Sequence, residues 1–225
     1  MHMRAQENTG FRDATRILTS LLSVYEKRVL LYLAARMPGF VTSDHLTALG
    51  LVAMLGTGIA FWASRTYPMA LIGVVGCLAV NWFGDSLDGT LARVRKCERP
   101  RYGYYVDHVS DMFGTLFLFG GLAMSGYMTP VIAVGLLIAY LMMSIEIYLA
   151  AQVLGEFRIT YWMVGPTELR ILLAAGALAL LVRPYVVIFG HTWLLFDVGG
   201  VIGIVGLIVL LIRTCVQHAS ALEGV

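Results

Sequence analysis

Four aspartates carry the chemistry this sequence offers. The stretch Asn81-Trp82-Phe83-Gly84-Asp85-Ser86-Leu87-Asp88-Gly89-Thr90-Leu91-Ala92-Arg93 holds two, and Gly103-Tyr104-Tyr105-Val106-Asp107-His108-Val109-Ser110-Asp111 holds two more. On a helix, Asp85, Asp88, Gly89 and Ala92 share one face, and Gly103, Asp107 and Asp111 share a face of the next. If the two helices are antiparallel neighbours, the acidic faces meet. Two unit charges 4 Å apart cost about 4 kcal/mol at an effective dielectric of 20, so protons or cations must relieve such a cluster. All-oxygen ligands suit hard ions such as magnesium, manganese or calcium rather than zinc. One or two divalent ions would neutralise the aspartates and still attract phosphate oxygens. Arg93, one turn beyond Gly89, can reach a phosphate as well. Gly89, Ala92 and Gly103 remove bulk on the same faces, which suits either a ligand-sized gap or close helix packing. Separately solvated helix-end aspartates would explain one pair better than four.

The elements that position these residues are membrane helices. The chain has 225 residues, of which 59% are hydrophobic and 13% charged, with a mean hydropathy of +0.79. Soluble domains are about 45–50% apolar and about 25% charged, so this chain has too little polar surface to cover itself in water. A soluble globular enzyme and a disordered chain are excluded. A net charge of +2 argues against a nucleic-acid partner. Cys77, Cys97 and Cys215 are too scattered for a disulfide framework or a zinc site.

A helix needs about 20 apolar residues to cross the hydrocarbon layer. Residues 46–64 and 66–84 are uncharged, and residues 112–145 form a 34-residue uncharged run broken near Ser125-Gly126-Tyr127-Met128-Thr129-Pro130. Gly165-Pro166 introduces a fifth span to about Val182, and a sixth runs from about Leu194 to Ile212. No run alternates with period two as barrel strands do. The expectation is an all-α integral membrane protein of six transmembrane helices. An amphipathic surface helix should precede them from about Asp13 to Arg36, where Ile17, Leu18, Leu21, Leu22, Tyr25, Val29 and Leu33 recur among Arg16, Lys27, Arg28 and Arg36. The N-terminus stays polar as far as Asp13 and does not read as a signal peptide. Under this topology fourteen Lys and Arg residues fall on one side and only Arg65 and Arg183 on the other. The positive-inside rule then places both termini, and the aspartates, in the cytoplasm. We expect a cytoplasmic segment and surface helix over residues 1–40 and a transmembrane catalytic domain over 41–225.

These residues resemble the signature of the CDP-alcohol phosphotransferase (CDP-alcohol phosphatidyltransferase) family, D-x2-D-G-x2-A-R, about eight residues, then G-x3-D-x3-D. Asp85, Asp88, Gly89, Ala92, Arg93, Gly103, Asp107 and Asp111 all match, with nine residues between Arg93 and Gly103. The family often has Pro-Asn at the start of the first span, where this chain has Ser43-Asp44. The resemblance implies phospholipid biosynthesis at a membrane. A phosphoalcohol (often phosphatidyl) group passes from a CDP-linked donor to an acceptor hydroxyl, and CMP leaves. The donor is CDP-diacylglycerol or a small CDP-alcohol, and the acceptor an alcohol or a lipid. The resemblance further implies two divalent ions, magnesium or manganese, held by Asp85, Asp88, Asp107 and Asp111. It makes Asp111 the base for the acceptor hydroxyl, and sets Gly89, Ala92, Arg93 and Gly103 against the donor. It also suggests a homodimer.

Other polar residues are less specific. Glu146 lies within the fourth span and reads as either a functional group or a paired structural carboxylate. Arg158, Glu168 and Arg170 flank the start of the fifth span and read as interface anchors, with binding of an acceptor phosphate as the alternative. His108 points about 100° from Asp107 on a helix, away from the ligand face. His45, His191 and His218 read as interfacial or solvated. Two rivals remain. An intramembrane prenyltransferase would also bind a diphosphate through magnesium and aspartates, but would release inorganic diphosphate. A divalent-cation carrier would use the aspartates as an ion path, though carriers place such groups near the bilayer midplane.

Overall fold

The computed structural model describes residues 15–17, 23–154, 156–158 and 165–223. Seven helices dominate: α1 (Ser23–Arg36), α2 (Ser43–Ser64), α3 (Ala70–Val94), α4 (Pro100–Ser125), α5 (Pro130–Leu154), α6 (Pro166–Val182) and α7 (Leu195–Glu223). Proline opens α4, α5 and α6, where its missing N–H costs nothing because the first turn has no intrahelical acceptor to give it. The long uncharged run divides as its sequence demands. Gly126 takes a left-handed conformation (φ 80°) after Ser125, and α5 begins at Pro130.

Four helices are long and apolar enough to cross a membrane: α2, α3, α5 and α7. The other two expected spans exist as helices but do not qualify on length and apolarity. α4 gives much of its first half to polar and charged residues, and the 17 residues of α6 rise only about 26 Å. The helix expected from Asp13 is shorter at its start. It begins at Ser23, whereas Thr15–Ile17 forms a strand, β1, parallel to β2 (Glu156–Arg158). β-branched Thr15 and Ile17 favour extended backbone. The rest of that expected helix before Ser23 lies outside the described residues. The fold is all-helical in class, as expected, and carries one further short strand pair, the hairpin β3 (Tyr185–Ile188) and β4 (His191–Leu194) between α6 and α7. Phe189 and Gly190 turn it with φ of 51° and 79°, the twist that suits a two-residue hairpin loop.

α2 lies between α3 and α4 and packs extensively on both. α6 and α1 lean on α3, α5 on α4, and α7 on α5. In a bilayer the tails are as apolar as leucine, so helices associate through close packing rather than through escape from water. Glycines provide that closeness. A Cβ on Gly121 would lie 2.1 Å from the Gly58 carbonyl oxygen, and one on Gly84 would lie 2.6 Å from the carbonyl oxygen of Leu46. α2 therefore touches α4 and α3 backbone to backbone. Fully buried Phe61, Leu71, Val74 and Leu122 fill the core at one end, and Leu46, Leu87 and Leu91 join Leu30 and Ala34 of α1 at the other. α5 and α7 run parallel, tied at both ends. Thr129 donates from its N–H and its hydroxyl to the Asp197 carboxylate (both 2.6 Å), and His218 Nδ1 stands 2.5 Å from Glu146 Oε1.

Candidate active site

The aspartates occupy one end of the bundle, on α3 and α4. All four are neither fully buried nor fully exposed. Asp85 accepts a charge-assisted hydrogen bond from Arg170 Nη2 of α6, while Arg170 Nε donates to Asn81 Oδ1 at 2.7 Å. Asn81 in turn donates from Nδ2 to the Gly50 carbonyl at 3.0 Å. A polar chain thus runs from the α2 backbone through α3 to α6 and back to Asp85. Asp88 is held from α2. Thr47 Oγ1 donates to its Oδ2 at 2.6 Å, and Ser43 Oγ donates to its main-chain carbonyl at 3.0 Å. The α2 start that carries these hydroxyls is fixed by Thr42, whose Oγ1 accepts from the His45 N–H while the Thr42 N–H donates to His45 Nδ1. The neighbouring Asp44 pairs with Arg99.

Across the gap, Asp111 feels the charges of Asp85, Asp107 and Asp88, with Arg170 as the opposing cation. The four carboxylates stand at the same end of the bundle, close enough for their charges to interact. Tyr140 and Tyr148 of α5 are within the same field of Asp111, and the Thr115 hydroxyl donates to the Asp111 carbonyl at 2.7 Å. His108 is turned to its own helix and to α5. Its Nδ1 lies 2.6 Å from the Tyr104 carbonyl, and its ring stacks on Tyr104 and meets Tyr148 edge-on.

Gly89 and Gly103 do not serve helix packing. A Cβ on Gly89 would meet nothing nearer than the Arg93 guanidinium at 3.6 Å, and one on Gly103 would meet nothing within 4 Å. Among the described residues, both positions border open space and not a helix crossing. Ala92 is half-buried, and its carbonyl accepts from the Cys97 N–H at 3.0 Å. Arg93 is exposed, with Nη2 donating to Thr90 Oγ1 at 3.1 Å.

The donor set suits hard cations: four carboxylates opposed by one guanidinium leave an excess of negative oxygen. Their present orientations are not a finished ligand set. Among the described residues no three acidic, histidine or cysteine side chains stand ready to hold one ion. Arg170 and Thr47 occupy the oxygens of Asp85 and Asp88 instead.

Three outcomes differ from the sequence reading. Arg170, read chiefly as an interface anchor, is inside the acidic site. Its companion Glu168 accepts from the Gly165 N–H at 2.9 Å and caps α6. Arg158 lies in β2, away from α6 in the chain. His218, read as interfacial or solvated, is the partner of Glu146, because a lone carboxylate in an apolar helix must be bonded to be tolerated. Asn81, Ser43 and Thr47 escaped the sequence reading. Asn81 sits one turn before Asp85 in an apolar run, which was the one available signal.

No curated protein matches the chain significantly. The family model described as CDP-alcohol phosphatidyltransferase matches residues 40–216, which include every helix from α2 to α6 and most of α7. Such proteins are membrane-associated transferases of phosphate-containing groups in phospholipid synthesis. They use CDP-alcohol donors and alcohol acceptors and generally depend on divalent metals. The match favours transfer over the prenyltransferase and carrier readings. With its acidic helix pair, its apolar bundle and a match over most of its length, the chain belongs to the CDP-alcohol phosphatidyltransferase family.

Proposed function

We propose that this protein transfers a phosphoalcohol group from a CDP-linked donor to an acceptor hydroxyl at a site built from Asp85, Asp88, Asp107 and Asp111. The observation that carries the reading is the placement of these four carboxylates on α3 and α4 at one end of the bundle, in a chain that matches the family over residues 40–216. The same reading takes α4 and α6 as spans alongside the four apolar helices. It gives six in all, with both termini and the site on the cytoplasmic side and α1 along the interface. Residues 41–225 are then the catalytic domain and residues 1–40 a cytoplasmic segment.

Asp85, Asp88, Asp107 and Asp111 would hold magnesium or manganese, which when bound polarises the diphosphate and offsets charge on departing CMP. The chain's own residues do the rest. Arg93 and the open faces of Gly89 and Gly103, beside Ala92, receive the nucleotide and its phosphates. Asp111 takes the proton of the acceptor hydroxyl as its oxygen bonds to the donor phosphorus. The phosphorus–oxygen bond to CMP breaks, and CMP leaves with the electron pair. Asp111 is also a candidate metal ligand, so its two oxygens divide between the roles. Tyr140 and Tyr148 line the α5 side of this base. A site at the end of the bundle lets a water-soluble nucleotide meet a lipid tail.

The test is CMP release by purified protein with magnesium or manganese and a matrix of donors and acceptors. We expect CMP rather than inorganic diphosphate, and loss of release on chelation that either ion restores. Asp111→Asn should lower turnover by about 10²–10⁴-fold with the fold intact. Undiminished turnover in that variant removes the base.

A further inference from the structure

Glu26 belongs to none of the residues given a chemical role above, yet one of its oxygens accepts three side-chain hydrogen bonds beside the site. Glu26 Oε1 accepts from Trp82 Nε1 at 2.8 Å and from Ser86 Oγ at 3.2 Å, both on α3, and from Thr167 Oγ1 at 2.7 Å on α6. A carboxylate beside apolar helices is costly unless its oxygens are bonded, and charged acceptors make the stronger hydrogen bonds. α1 delivers this carboxylate from a fixed position. Leu30 and Ala34 are buried against Leu87 and Leu91, and the Arg95 guanidinium takes the carbonyls of Met37, Pro38 and Val41 just beyond its end.

The residues that Glu26 joins flank the acidic site. Ser86 follows Asp85, and Trp82 precedes it by one turn. Thr167 lies one turn before Arg170, which holds Asp85 and Asn81. The contacts close a ring: from Asp85 and Asn81 to Arg170, one turn back along α6 to Thr167, across to Glu26, and back to α3 through Ser86 and Trp82. Arg170 has a long side chain with much rotamer freedom. Its guanidinium meets two α3 residues at once only if the first turn of α6 is held at the right distance and rotation.

We propose that Glu26 is a positioning residue that locks the first turn of α6 to α3, and thereby sets Arg170 against Asp85 and Asn81. Its turnover readout rests on the catalytic reading above, and its structural readouts do not. α1 then takes part in assembling the site as well as lying beside it, since a misplacement of about 1 Å in a supporting element costs catalysis heavily.

The test uses the full chain with Trp62, Trp162 and Trp193 changed to Phe, so that Trp82 is the sole indole. Glu26→Ala should shift Trp82 emission and lower CMP release by about tenfold, and Glu26→Gln, which keeps an acceptor in place, should restore most of both. In an Arg170→Ala background, Glu26→Ala should cost less than about twofold more, because both changes act through one guanidinium. Leu71→Ala, which removes core packing at the other end of the bundle and touches neither α1 nor Glu26, should lower Tm without that loss of turnover. The proposal is overturned if Glu26→Ala and Arg170→Ala multiply, if turnover in Glu26→Ala merely follows Tm as in Leu71→Ala, or if Trp82 emission does not change. If the parent protein releases no CMP from any donor, the catalytic reading fails by itself. Trp82 emission and the Glu26–Arg170 coupling in Tm then decide this proposal, and additive Tm losses overturn it. Should Glu26→Ala not fold, Thr167→Val removes the α6 donor alone and must show the same coupling to Arg170.

Discussion

Gly84 and Gly89 sit five residues apart on α3 and lack side chains to opposite effect. At Gly84 the backbone of α2 fills the space: an added Cβ would be 2.6 Å from the Leu46 carbonyl oxygen and 2.7 Å from the Gly50 nitrogen. At Gly89 the space is open but for the tip of Arg93. The first is a helix crossing, like Gly58 against Gly121. The second lies on the face that carries Asp85 and Asp88. One helix therefore meets a neighbouring backbone at one glycine and open space at the other, about a turn and a half further on. Smallness in a sequence does not distinguish the two, since only the neighbouring backbone does.

The sharpest way to break this contrast is to add one carbon to each kind of glycine. Gly121→Ala should have the largest effect. Its Cβ would meet the Gly58 carbonyl and Cα at 2.1 and 2.4 Å, and backbone cannot rotate away as a side chain can. We expect a loss of about 3 kcal/mol, the upper part of the usual overpacking range, read as a lower Tm in detergent. An unchanged Tm would mean that α2 and α4 do not cross this closely.

Gly89→Ala should behave in the opposite way. Alanine favours a helix over glycine by about 1 kcal/mol, so Tm should hold or rise slightly. Turnover with the CDP-linked donor should fall about tenfold or more, the usual consequence of one misplaced methyl-sized group in a binding site. A Gly89→Ala variant that loses Tm as Gly121→Ala does would show that the gap is closed by protein in solution, and would remove it as a donor site.

This contrast also marks how far the sequence could be read. Four of the expected spans were legible because a bilayer imposes long uncharged runs, and Gly126 and Pro130 divide the longest of those runs. The acidic pairs were legible because spacings of three and four place them on one face. The hairpin at Tyr185–Leu194 was not, since a run such as Tyr185-Val186-Val187-Ile188 is as apolar as a span and shows its turn only in Phe189-Gly190. Glu26, Asn81 and Arg170 were not legible as partners. Thr167 is 141 residues from Glu26, and Arg170 is 85 from Asp85. Single polar residues so far apart carry no periodicity, and only the packing of α6 on α3 brings them together.

The smallest expected effect tests whether the same contrast holds for carboxylates. Asp111 sits among like charges, whereas Glu146 sits on α5 opposite a histidine, with Oε1 on His218 Nδ1 and Oε2 buried without a partner among the described residues. Along α5, Tyr140, Ser144 and Tyr148 form one face by their spacing of four. Glu146, two residues from each of the last two, lies roughly on the opposite side. A structural role for Glu146 follows: it ties the α5 end nearest the site to α7, as Asp197 ties the other end through Thr129. Hydrogen bonds between membrane helices contribute about 0.6 kcal/mol on average, because polar groups find other partners when helices separate. Glu146→Gln keeps an oxygen for His218, and its amide gives the orphaned position a donor. We therefore expect a Tm change worth less than about 1 kcal/mol and CMP release within about twofold of the parent protein. A fall in turnover approaching that of Asp111→Asn would place Glu146 in the chemistry, and the separation between the acidic end of α3 and α4 and the paired helices α5 and α7 would have to be redrawn.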